Sequence, residues 1–286
     1  MDNIEIKIPI QNKTNKRTSK RASSSSNGKN SMSPERLIQL KEILSIPSQY
    51  HKEDLVTAYI VNFCEEHHLE YIVDDLGSIL ITKGKLGDDG YYGMIGGHID
   101  TVHPPEPKTI VENKGILTAW SKQNQQCGLG GDDLCSVHIC LSLLQLLPVI
   151  KVGFFVGEEV FCEGSKSISK SHREWFKDVG YILEYDAPEL MITQICNGVE
   201  LFEENGIFIN KIMSHLKRTL GKKLKFYSHP YTDVYVIRSE FNISCINLFA
   251  GYYNWHSRQE YVKIEEVEMA IELGVRIINE LGFNRY

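Results

Sequence analysis

Five apolar stretches of this chain each end or begin at or near a histidine or a carboxylate, and that recurrence restricts the fold more than any other feature of the sequence. Tyr91-Tyr92-Gly93-Met94-Ile95 leads through Gly96-Gly97 to His98-Ile99-Asp100. Residues i and i+2 of a strand point to the same side, so His98 and Asp100 are presented together, and paired glycines remove bulk where the backbone passes close to something. Gly128-Leu129-Gly130-Gly131-Asp132-Asp133 opens the apolar run 134–147, which has the length of a buried helix. The run 149–156 ends at Gly157-Glu158-Glu159, the run 180–185 at Asp186, and the run 243–250 just before His256. Open α/β sheets build their sites at the carboxyl ends of strands. The expectation is therefore an α/β fold, a three-layer, mostly parallel mixed sheet flanked by helices.

Taken singly, each motif has a plain alternative. His98 and Asp100 form a structural hydrogen-bonded pair, Asp132 or Asp133 caps a helix N-terminus, and Glu158-Glu159 is a solvated surface pair. Together, two histidines and three or four carboxylates at one sheet edge are what two divalent metals with nitrogen and oxygen ligands require. With Asp132 as a bridge, each metal gains one histidine, one terminal carboxylate and a share of the bridge. Asp100 is placed to orient the His98 ring, and Glu158 to serve as general base.

Composition limits the alternatives. The chain has 286 residues, 42% hydrophobic and 24% charged, which suits a globular protein with a sizeable core. No window reaches eighteen uninterrupted apolar residues, and residues 1–10 lack a signal-peptide layout, so a cytoplasmic, non-membrane protein is expected. Seven cysteines without a Cys-x-x-Cys pair read as reduced, mostly buried thiols. Residues 1–32 carry seven Lys or Arg against Asp2 and Glu5, with four serines at 23–26, and are expected to form a disordered basic tail ahead of a single catalytic domain, 33–286. The remainder carries a net charge near −11, which argues against nucleic acid as the main ligand. Gly-x-Ser-x-Gly, His-Glu-x-x-His and P-loop motifs are all missing, which disfavours serine hydrolases, single-zinc helix proteases and nucleotide hydrolases.

Periodicity supplies the remaining elements. Ser33-Pro34 starts a helix that ends before Pro47, and a second helix fits 51–68. Strand pairs are expected over 71–82 and 108–120, a helix over 203–220, a return to the sheet at 222–226, and a closing amphipathic helix over 265–281.

The strings Gly97-His98-Ile99-Asp100-Thr101-Val102, Gly130-Gly131-Asp132-Asp133, Gly157-Glu158-Glu159, Glu184-Tyr185-Asp186 and Asn254-Trp255-His256-Ser257-Arg258-Gln259-Glu260-Tyr261 resemble, in this order, the co-catalytic zinc peptidase clan of aminopeptidases, peptidase T-like tripeptidases, carboxypeptidases and amide deacylases. The resemblance runs from about residue 33 to the C-terminus. It implies His98, Asp132, Glu159, Asp186 and His256 as ligands of two zinc ions, with cobalt or manganese as substitutes. His98 and Asp186 would share one metal with Asp132, and Glu159 and His256 the other. Glu158 is then the base and Asp100 the orienting acid. Only 69 residues separate Asp186 from His256, too few for the lid domain of on the order of a hundred residues that dimerising relatives insert there. The implied protein is a lidless exopeptidase, an aminopeptidase on short peptides. Deacylation of small N-acyl compounds and a metal-free peptide- or protein-binding module are the alternatives.

Losing the lid leaves the oxyanion donor unassigned, a role open to Tyr252 or Tyr253. His103 and His229 read as loop residues at the rim, Thr232-Asp233 as a turn near the pocket or a helix cap, and His138 as a satisfied core histidine.

Overall fold

The computed structural model describes residues 32–286. The expected basic tail lies outside the described residues except for Met32, which is buried against the core. Ser33 accepts from the Arg36 N–H and Pro34 opens α1 (Pro34–Ser45), whose Leu40, Ile43 and Leu44 are fully buried. α2 (Asp54–Glu66) starts later than the expected residue 51. His51 sits at φ +62° and donates its N–H to the Glu53 carboxylate, a turn that delays the helix. β1 (Glu70–Val73) and β2 (Ile79–Lys83) form the expected hairpin, with Asp74 accepting from the Leu76 and Ser78 amides in the turn.

β3 (Tyr92–His98) is buried along its whole length. β4 (Lys108–Asn113), β5 (Ile116–Ser121) and the short β6 (Gln126–Cys127) precede α3 (Gly131–Leu146), β7 (Ile150–Phe155) and α4 (Glu163–Ser171). β8 (Val179–Ala187), β9 (Ile192–Cys196) and β10 (Val199–Glu200) follow. α5 (Ile207–Leu220) is shorter than expected because residues 203–206 close a turn through the Gly206 N–H and the Glu203 carbonyl. Residues 221–223 form a 3-10 turn, so the return to the sheet comes at β11 (Phe226–His229) and not at 222–226. α6 (Asp233–Phe241), β12 (Ser244–Phe249), β13 (Tyr252–Tyr253), β14 (Tyr261–Lys263) and α7 (Ile264–Leu281) complete the chain.

The main sheet has nine strands in the order β1-β2-β7-β3-β8-β12-β9-β10, with β11 on β9. The central four, β7, β3, β8 and β12, run parallel, and β11 is parallel to β9. The remaining pairs, including both flanks, are antiparallel, so parallel pairing is a feature of the centre more than of the sheet as a whole. Central strands buried on both faces explain the near-continuous apolar runs of β3, β7 and β8. α3 packs on β3 and β8 and against α1 and α7, α7 packs against α5, and α4 against α6. β4, β5, β6, β13 and β14 form a second, antiparallel sheet, to which the expected 108–120 hairpin belongs. Among the described residues no helix is long and apolar enough to cross a membrane, and all seven cysteines are free thiols, six of them buried.

Candidate metal centre

Parallel central strands all end at the same edge, and the five residues singled out as ligands meet there. β3 delivers His98, which is almost completely buried, and the extended end of β8 delivers Asp186. Asp132 stands at the mouth of α3, Glu159 on the turn after β7, and His256 on the loop between β13 and β14. Asp132 lies between the two imidazoles: His98 Nε2 is 3.2 Å from its Oδ1, and His256 Nε2 is 3.1 Å from its Oδ2. His98 Nε2 is also 3.5 Å from Asp186 Oδ1, and His256 Nε2 is 2.9 Å from Glu159 Oε1. The carboxylate therefore faces a His98–Asp186 half and a His256–Glu159 half.

Glycines let these pieces close on one another. A side chain at Gly97 would run into Ser136 and, at 2.6 Å, into Asp133 Oδ2, so the first turn of α3 can sit directly against the end of β3. At Gly131 it would meet Val262 and Tyr252, at 2.7 and 2.9 Å. The bare 128–131 loop thus makes room for the second sheet.

Asp100 organises more than one histidine. Its carbonyl is 3.0 Å and its Oδ1 3.3 Å from His98 Nδ1, which directs Nε2 toward Asp132 and Asp186. The same carboxylate accepts from the backbone N–H groups of Glu158 and Glu159, at 3.0 and 3.1 Å. This fixes the turn that presents both adjacent glutamates to the cleft. Asp133, the neighbour of Asp132, turns inward, with its Oδ2 accepting from the His98 N–H at 3.3 Å and its Oδ1 from the Ser136 N–H. One of the two aspartates thus secures the helix start while the other faces the cleft.

Glu260, to which the sequence motifs assign no role, holds the start of α3 in place. It is fully buried, and its Oε2 accepts from Leu129 N–H, Gly130 N–H and His103 Nε2 at 2.9, 2.7 and 2.8 Å, while Oε1 accepts from Asp132 N–H at 3.0 Å. His103, expected as a rim residue, is one of its partners. The sequence signal was a loop of bare backbone N–H groups that needed an acceptor.

Electrostatically, this pocket favours positive charge. Burial lowers the His98 pKa, but Asp100, Asp132 and Asp186 more than reverse that and raise it well above the ordinary histidine value. Hydrogen bonds donated by its ring to the Asp132 and Glu159 carboxylates push His256 up to about 10. Burial raises Asp132, yet His256 and His98 hold it well below the usual carboxylate range. Burial, then the nearby Asp186, Asp233 and Asp132, drive Glu158 well above that range against the pull of His98. Among the described residues two sets of candidate ligands each bring their ligand atoms within 4.8 Å of one another: His98, Asp132 and Glu159, and His98, Asp133 and Asp186. Two imidazoles and several carboxylates in a site that is buried on the His98 side and open at His256 suit divalent cations of the zinc, cobalt and manganese type. The residues fit such a pair.

The other candidates fall into place around this centre. Tyr252 is buried and donates to Asp186 Oδ1 at 3.2 Å, while Tyr253 points away and donates to Glu266. Thr232 makes no capping bond to α6; its hydroxyl donates to Glu184, and Asp233 is buried with neither carboxylate oxygen hydrogen-bonded. His229, on β11 and not in a loop, lines the cleft beside Asp132, Glu158 and His256. His138 is a core residue, but neither ring nitrogen has a hydrogen-bond partner.

No protein-family model and no curated protein matches the sequence. Solved structures do. The aminopeptidase PepT of Bacillus cereus matches with a TM-score of 0.73 and 14% identity over 86% of this chain and 98% of its own. A tripeptidase of Staphylococcus aureus gives 0.70 and 14% over 87% and 98%. The Bacillus subtilis YXEP protein, described as a dinuclear metal-binding peptidase of the M20 family, gives 0.58 and 12% over 85% and 96%. The chain has the fold of the co-catalytic di-metal peptidases, the clan its sequence motifs resemble.

Proposed function

We propose that this protein is a two-metal hydrolase of peptide bonds, an aminopeptidase acting on short peptides with a free N-terminus. The observation that carries this reading is Asp132, whose two carboxylate oxygens each face a different imidazole, as a bridging ligand must. His98, Asp186 and Asp132 would hold one ion, and His256, Glu159 and Asp132 the other. When bound, two divalent ions polarise the scissile carbonyl and make a water molecule more acidic. Glu158 takes a proton from the attacking water and returns it to the leaving nitrogen, so that water ends as the new carboxyl oxygen and the amine hydrogen. Asp100 keeps Glu158 in place through its backbone N–H. The cleft, of about 180 Å³, is small and lined by Tyr231 and Trp255, which suits the end of a chain more than its middle. Seven free thiols fit a reducing compartment such as the cytoplasm.

Metal analysis of the purified protein, combined with turnover of dipeptides and aminoacyl amides against N-acetyl amino acids, tests the proposal. About two bound divalent ions per chain and turnover of the free-amine substrates are expected. The Glu158→Gln variant should retain the metal and lose on the order of 100-fold or more in kcat. Metal-free protein, or full turnover by the variant, would overturn the assignment; turnover confined to N-acetyl substrates would make the protein a deacylase.

A further inference from the structure

Large apolar side chains on a protein surface are unremarkable when scattered, but three aromatic ones gather here at the mouth of one acidic cleft. Phe161 is 67% exposed, Tyr231 39% and Trp255 37%, and all three line the cavity that contains Asp132, Glu158, Glu159, Asp186 and His256. Phe161 and Tyr231 meet edge to face with ring centroids 5.9 Å apart, and Pro188 and Pro230 extend the same wall. They come from three separate loops, after β7, after β11 and after β13, so sequence proximity does not explain their meeting.

Phe161 is held there at a conformational cost. Its φ is +71° and that of Cys162 is +56°, a left-handed pair two residues beyond Glu159. A bulky aromatic residue in that region is uncommon, and strain of this kind persists where the surroundings enforce it. The backbone there is pinned by the Cys162 N–H on the Glu158 carbonyl and by Lys166 Nζ on the Phe161 carbonyl. The turn that sets the two glutamates therefore also places the Phe161 ring in the lining of the cleft.

Among the described residues no lysine or arginine lines this cleft. A second cleft, lined by His103, Lys108, Gln126 and Arg258, shares His256 with it and is the polar side of the centre. Among the described residues, the exposed aromatic surface that an apolar group bound at the centre could cover is on the Phe161 side.

We infer that Phe161, Tyr231 and Trp255 form a specificity pocket for a bulky apolar side chain, aromatic or branched aliphatic, on the amino-terminal residue of the substrate. This rests on the peptide-cleaving reading above, and it names which peptides. Burying such a side chain between aromatic rings separates it from glycine by at least about 10-fold in affinity. The rings are exposed, so trimming them leaves the core untouched.

The test is calorimetric titration of the metal-loaded Glu158→Gln protein with L-phenylalaninamide, L-leucinamide and glycinamide, repeated in the background of Phe161→Ala with Tyr231→Ala, beside kinetics of the same amides on protein with Glu158 intact. The phenylalanine and leucine amides are expected to bind at least about 10-fold more tightly than glycinamide, and the double variant to bring that ratio close to one, with the effect in KM and little in kcat. Equal binding of all three amides, or an unchanged ratio in the double variant, would overturn the pocket. Apolar preference without any turnover by the Glu158-containing protein would count against peptide hydrolysis while supporting the pocket, so the two readings fail separately.

Discussion

Glu260 shows how much one buried carboxylate can hold in place. Three backbone N–H groups of the 129–132 loop and the His103 ring all donate to it, and the loop they belong to carries Asp132. Charge-assisted bonds of this kind are the strong ones, and removing such an acceptor leaves several buried donors unpaired. Glu260→Gln keeps the volume but offers one carbonyl oxygen and turns its amide hydrogens toward other donors. A destabilisation of about 2–4 kcal/mol is expected, read as a shift of the urea midpoint at constant slope. Metal titration should show weaker binding as the Asp132 backbone loosens; unchanged stability together with unchanged metal affinity would refute this role. The residue was hard to read because Ser257-Arg258-Gln259-Glu260 has the composition of a solvated loop. Its burial arises only when β14 folds back onto β5 and brings the loop beside Leu129. The five candidate ligands were easier, since each stands where an apolar run breaks at a histidine or an acid. Phe161 and Tyr231 gave no such signal, being single aromatic residues in polar loops far apart in the chain.

Helix α3 combines what the sequence disclosed with what it hid. Its apolar run and acidic start were plain, and it is indeed the central buried helix, with Asp132 and Asp133 in its first turn. Periodicity, however, reports only that a position is inside, and says nothing of whether a polar group there finds a partner. His138 finds none. Burial, and then the charge of Arg36, lower its pKa to about 3 from an ordinary 6.5. Because the folded value is the lower one, protons bind preferentially to the unfolded chain as the pH drops below 6.5, and stability is lost progressively until about pH 3. Over that window the slope is about 1.4 kcal/mol per pH unit. Replacing the ring by an apolar side chain, His138→Leu, removes both the unpaired nitrogens and the titration. The variant should be about 1–2 kcal/mol more stable at pH 7. Between pH 6.5 and pH 5 it should lose about 2 kcal/mol less than the parent protein. Urea melts at the two pH values decide it, and parallel acid limbs for parent and variant would show that His138 is not buried in a dry environment.

At the level of the whole molecule, the centre is a junction between two sheets. His98, Glu159 and Asp186 come from the carboxyl edge of the main sheet, whereas His256 lies between two strands of the second sheet, and the start of α3 that carries Asp132 is clamped by Glu260 from that same connection. Cations bound across Asp132 would tie the sheets together in addition to neutralising a group of acids that repel one another. A ligand that binds only the folded state stabilises by about 4 kcal/mol at a thousand times its Kd, and here that free energy should be spread unevenly. Chelation removes the tie but leaves the β7-β3-β8-β12 ladder intact, so the loss should concentrate where the second sheet meets the first. Hydrogen exchange after chelator treatment is expected to speed up most at the amides of Leu129, Gly130 and Asp132 and across residues 254–261, while β3 and β8 keep their protection. The thermal midpoint should fall at the same time and recover when zinc is returned. Uniform acceleration through β3 and β8, or no change at 128–132 and 254–261, would show that the ions do not join the two sheets.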